Sequence, residues 1–204
     1  RRAAPARKQC QPLDQRPRDD IGFGTDAYLR WVVNFALRSN QLPRARRHLE
    51  AWGALTVTGG DSYSATTLAC FRAELALIEE QPHDALAHAR QALARCSGAR
   101  EHRCRVHACS VFLDSAIAAG EHADAAQIAR ELLRLLRNFR IAYLRLAAYR
   151  SLARWQRVQR NPRAARRALL EAERLARALN QAFGSQHYSA ALPPLPAQRR
   201  SESG

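Results

Sequence analysis

The chain has 204 residues, room for one domain of ordinary core or for a short array of repeats. Its 33 basic and 18 acidic residues give a formal net charge of +15, which invites an acidic protein or nucleic-acid partner. No run of eighteen apolar residues occurs, which excludes a membrane-spanning helix, and the opening "RRAAPARKQC" lacks the apolar core of a secretory signal.

Lys8 is the only lysine and methionine is absent, a composition that fits the arginine- and alanine-rich coding of a GC-rich bacterial genome. Without a methionine, the chain reads as a piece of a longer protein or as a processed product. The five cysteines, Cys10, Cys70, Cys96, Cys104 and Cys109, form no paired framework, and a reducing cytoplasm is expected.

Taken in order, residues 1–24 are polar and are expected to be a loose basic tail. Thr25 or Asp26 can cap a helix over about 26–39, in which Tyr28, Trp31, Val32 and Phe35 recur at helical spacing. A second helix is expected over 43–57, followed by the "TVTGGDSYS" loop at 56–64. Helices over 63–79 and 82–96 follow, the latter closed by Ser97-Gly98. The next pair spans 100–119 and 122–137, with Gly120 placed to end its first helix. The last pair spans 139–159 and 162–182, with Asn161 and Pro162 as N-cap and first helical residue. The "ALPPLP" at 191–196 favours polyproline II, so 184–204 is read as a second loose tail. No segment alternates as a strand does.

The stretches "NQLPRA", "EQPHDA", "GEHADA" and "RNPRAA" lie forty residues apart and end on Ala45, Ala85, Ala125 and Ala165. Nine residues earlier stand Ala36, Ala76 and Ala116, with Gln156 the departure. The expected architecture is therefore all-α: four antiparallel helix pairs stacked as a superhelix over 25–183. The repeats are about 26–58, 62–97, 100–137 and 139–183.

On these residues the chain resembles a tetratricopeptide array, which also carries a small residue in the first turn of its second helix. The Gly or Asn that precedes the family's turn is matched by Gly120 and Asn40, while Glu80 and Arg160 depart. The forty-residue period exceeds the family's usual thirty-four. The longer helices resemble the sensor arms of large bacterial regulators such as LuxR-type ATP-dependent activators. The resemblance implies a right-handed superhelix with the first helix of each pair lining a concave binding groove. It places Arg30, Asn34 and Arg38 from the first repeat in that groove, with Glu74 from the second. His107 and Asp114 follow from the third, and Arg150, Arg154 and Arg157 from the fourth. A groove basic at its ends and acidic in its middle suits a peptide or partner domain with acidic groups. The same positions also suit an ordinary solvated face.

Other clusters carry weaker chemistry. His102, Cys104, His107 and Cys109 are zinc-type ligands, but at about 100° per residue they cannot converge from one helix, so no metal site is expected. The Tyr28, Trp31, Phe35 stripe is read as packing rather than a base-stacking platform. No phosphate loop, nucleophile elbow or metalloprotease motif occurs, so neither a catalytic residue nor a cofactor is expected. Between residues 130 and 177 fourteen arginines stand against three glutamates. Arg163, Arg166, Arg167, Arg174 and Arg177 form the densest group, an alternative polyanion patch for nucleic acid.

Overall fold

The computed structural model describes residues 25–57, 62–96, 102–184 and 188. Among these, eight helices form and no strand does. They are α1 (Thr25–Arg38), α2 (Leu42–Val57), α3 (Ser62–Ile78), α4 (Pro82–Arg95), α5 (His102–Ala119), α6 (His122–Leu136), α7 (Ala142–Val158) and α8 (Pro162–Phe183). Each lies within a turn of its expected span. The expected tail at 1–24, the loop glycines at 59–60, Ser97-Gly98 and the Pro-rich stretch at 191–196 lie outside the described residues.

One turn, used four times, sets this order. Asn40, Glu80, Gly120 and Arg160 all take left-handed backbone, with φ of 55°, 59°, 80° and 53°. The next amide donates five residues back: Gln41 to Ala36 (2.8 Å), Gln81 to Ala76 (2.8 Å), Glu121 to Ala116 (2.8 Å) and Asn161 to Gln156 (2.9 Å). The left-handed residue itself donates to the carbonyl three back: Asn40 to Leu37 (3.2 Å), Glu80 to Leu77 (3.3 Å), Gly120 to Ile117 (3.2 Å) and Arg160 to Arg157 (3.0 Å). These are the two bonds of a Schellman termination, which satisfies the carbonyls that a helix end leaves open.

The turn also gives the alanine period a cause. Ala36, Ala76 and Ala116 accept the closing bond, and Ala45, Ala85, Ala125 and Ala165 donate into the start of the next helix. All seven are buried. A methyl on both sides of so tight a reversal lets the two helices meet close to it, where a longer side chain would hold them apart. Asn161 adds the expected N-cap, its side chain accepting the Ala164 amide at 3.1 Å.

Each helix packs on its chain neighbour, and α1 on α3, α3 on α5 and α5 on α7 form a second set of contacts. The odd-numbered helices thus make a continuous row. Trp52, fully buried on α2, meets Phe71 of α3 with ring centroids 6.0 Å apart. Leu113 of α5 and Leu132 of α6 are fully buried in the central cluster, while Ala172, Leu175, Ala176 and Leu179 seal α8 onto Leu146 of α7.

The expected burial of the first aromatic stripe is corrected. Trp31 and Phe35 are 55% and 47% exposed and stack on each other at 5.8 Å. The face of α1 that meets α2 and α3 is instead carried by Leu29, Val33, Ala36 and Leu37. Trp31 and Phe35, four residues apart, share a different face from these. Tyr28 alone of the three packs against the core.

Left-handed backbone at a residue with a Cβ costs about 1 kcal/mol. Arg160→Gly is therefore expected to stabilise the chain by about that amount, and Gly120→Ala to destabilise it similarly. Urea midpoints decide this: a glycine at 160 that lowers the midpoint contradicts a strain-limited turn.

Candidate functional site

The forty-residue register puts Asn34, Glu74, Asp114 and Arg154 at equivalent places on α1, α3, α5 and α7. Because these helices pack in a row, equivalent positions are brought to neighbouring places along it. His107 Nε2 lies 2.9 Å from Glu74 Oε1, joining α5 to α3. Arg154 Nη1 donates to Asp114 Oδ2 at 2.5 Å, and the Ser151 hydroxyl donates to the same oxygen at 3.0 Å, joining α7 to α5. The side chains of Arg154 and Asp114 are only 12% and 16% exposed, so this pair is largely removed from water. Pairs so placed depend on both partners, since removing one strands a buried charge.

The electrostatics extend the cluster to Arg38 and Arg150. Burial works to raise the Glu74 carboxyl, but His107, Arg38 and Arg150 prevail and hold it below its ordinary value. For His107, burial opposes the charge, while Cys70 and Glu74 beside the ring favour it and keep the imidazole well above its usual range. Asp114 goes the other way: burial raises it despite Arg154, Ser151 and Arg150. Arg150 is brought down to about 10, first by burial and then by the positive fields of Arg154 and Arg38, against which Asp114 and Glu74 pull. Six groups from α1, α3, α5 and α7 therefore share one electrostatic environment with more positive than negative charge.

The remaining expected groove residues stand differently. Arg30 leaves this cluster and lies over the Tyr63 ring, 5.0 Å from its centroid. Asn34 is half-buried and Arg157 exposed. Tyr63 and Arg103, which the sequence reading passed over, and Tyr143, which it took as packing and which is 47% exposed, sit forty residues apart on α3, α5 and α7. A Tyr63 hydrogen bond holds the Arg103 guanidinium above its usual range, and the Tyr143 phenol, raised by burial, lies in the fields of Arg103 and Arg30. This gives the row a second, arginine–tyrosine line, and its spacing was the signal that could have found it.

The other clusters separate. Arg163, Arg166, Arg167 and Arg177 are exposed and make no ion pair among the described residues, while Arg174 pairs with Glu171 at 2.9 Å. His102 is exposed, whereas Cys104 and Cys109 are buried, and burial pushes the Cys109 thiol up to about 12. Among the described residues no group of three His, Cys, Asp or Glu stands close enough to hold a metal ion. No helix among them is long and apolar enough to cross a membrane.

No protein-family model, curated protein or solved structure matches the chain.

The His107–Glu74 pair sets a pH dependence with a definite sign. A raised histidine stabilises fully below its ordinary 6.5, and the contribution is lost as pH rises through the folded value. A lowered Glu74 contributes fully above its ordinary 4.5, and the contribution is lost as pH falls through its folded value. Stability is expected to decline as pH rises above about 6.5, and His107→Gln to flatten that decline. Urea midpoints at rising pH test it, and an equal decline in the variant places the effect at another group.

Proposed function

We propose that the chain is a protein–protein interaction module: a tetratricopeptide-like α-solenoid of four helix pairs that docks a peptide or partner domain against its odd-numbered helices. The observation that carries this reading is the polar seam Glu74–His107 and Asp114–Arg154–Ser151 with Arg38 and Arg150 beside it. A row of packed helices needs apolar surfaces to hold together, and this one commits six ionisable groups to a single face. The four identical turns and the odd-helix contacts support the superhelical arrangement, in which that face is the inner one.

In this reading the module belongs to a larger bacterial signalling or transcription-regulatory protein and works in the cytoplasm. It has no reaction of its own and no cofactor. The thiol nearest the seam, Cys70, is fully buried and so offers no accessible nucleophile.

A library of displayed peptides selected on the full chain tests the groove. Asn34→Arg and Arg38→Glu, with helicity checked by circular dichroism, are expected to weaken selected peptides by about tenfold or more. Unchanged affinity in both folded variants sinks the groove reading.

A second reading rests on the exposed Arg163, Arg166, Arg167 and Arg177 of α8, which make no ion pair among the described residues: binding of nucleic acid through its phosphates. It expects affinity for duplex DNA or RNA to fall linearly with the logarithm of salt concentration. Neutralising Arg163, Arg166 and Arg167 together is expected to reduce that slope by about 2–3. No retardation of DNA or RNA in gel-shift assays at low salt removes this reading.

A further inference from the structure

The forty-residue register shows what the open face of α1 is shaped to meet. Trp31 and Phe35 stand in register with Phe71 and Leu75 on α3, Val111 and Ser115 on α5, and Ser151 and Trp155 on α7. All six counterparts are buried. The second helix of the preceding pair supplies part of the cover. Phe71 meets the Trp52 ring of α2 at 6.0 Å and shares a cluster with Ala45 and Leu49 of that helix. Trp155 lies 6.3 Å from the His122 ring of α6, and α5 packs on α4. On α1 the same two positions are open, and there both carry aromatic rings, stacked at 5.8 Å. A single exposed apolar side chain is ordinary; two adjoining rings at the positions that carry the contact between pairs make a docking surface.

We propose that this face of α1 docks a partner helix, seated on Trp31 and Phe35 as α2 is seated on Phe71 and Leu75. The partner is an amphipathic helix with a bulky apolar side chain in the middle of its stripe, where α2 carries Trp52. The α2–α3 contact continues in register onto α1, and no residue of the polar seam takes part, so the groove reading is not needed. A second copy of the chain fits poorly. Its α8 has Ala172 where α2 has Trp52, that alanine is already sealed against α7, and the exposed side of α8 is set with Arg163, Arg166, Arg167 and Arg177.

The test titrates the full chain into a dye-labelled synthetic peptide of the α2 sequence, residues 42–57, and into the same peptide carrying Trp52→Glu, read by fluorescence anisotropy. The α2 peptide is expected to bind, and the Trp52→Glu peptide to bind about tenfold more weakly or worse, as loss of a buried aromatic anchor requires. A Trp31→Ala, Phe35→Ala variant of the chain is expected to lose affinity for the α2 peptide by a similar factor. It is expected to melt as the wild type does, because alanine favours helix and neither ring belongs to the cluster that holds α1. No binding of the α2 peptide, or equal affinity for both peptides, overturns the proposal. Undiminished affinity in the folded double variant also overturns it, since the peptide then sits on α3 in exchange for the chain's own α2. Sedimentation decides the rival occupant: a wild type that dimerises as concentration rises, with a double variant that stays monomeric, gives the face to a second copy and overturns the assignment.

Discussion

Everything in this chain hangs on a reversal of direction that must recur without drift. A helix ends when one residue swings into left-handed backbone and two amides fold back onto the last turn, and this happens at residues 40, 80, 120 and 160. Fixed reversal points at a fixed period mean that every odd helix stops, and every even helix starts, in the same phase. Phase is what carries position 74 to 114 and 114 to 154, so that side chains from different helices meet in a line. Without it the same residues would scatter around their helices.

The line that results is polar in a place where apolar packing would be cheaper. The Asp114–Arg154 pair and the His107–Glu74 pair each bridge two odd helices, at 2.5 and 2.9 Å. Buried pairs of this kind add little net stability over well-packed apolar residues, but they penalise any arrangement that separates the partners. Their value is therefore register. Neighbouring repeats can slide by a turn against an apolar surface at modest cost; they cannot do so without stranding a carboxylate.

Much of the fold was readable because short-range rules wrote it: alanine at the tight reversal, Asn161-Pro162 at a helix start, glycine at 120. Glu80 and Arg160 resisted that reading, since propensity assigns left-handed backbone to Gly or Asn. Here the closing hydrogen bonds and the packing of the following helix impose it on residues that disfavour it. The aromatic stripe on α1 misled for a related reason. Periodicity reports that a helix has two faces, and only the neighbours decide which one is covered; Leu29, Val33, Ala36 and Leu37 took that role. Of the seam, Glu74, His107, Asp114, Arg150 and Arg154 were named by the resemblance to a tetratricopeptide array. Ser151 was not, because its part depends on where Asp114 of the previous repeat comes to rest. The resemblance named Arg30 for the groove, but its place over the Tyr63 ring is a contact between repeats that spacing alone does not price.

The three tryptophans end up in very different surroundings. Trp31 lies open beside Phe35 on the first helix, Trp52 is sealed between α2 and α3, and Trp155 on α7 is buried with the His122 ring 6.3 Å away. The chain therefore carries native optical reporters at both ends and between them. Collisional quenchers reach the first at once and the others only after local opening. The order in which the last two become accessible during denaturation would tell whether the array frays from its first pair or its last.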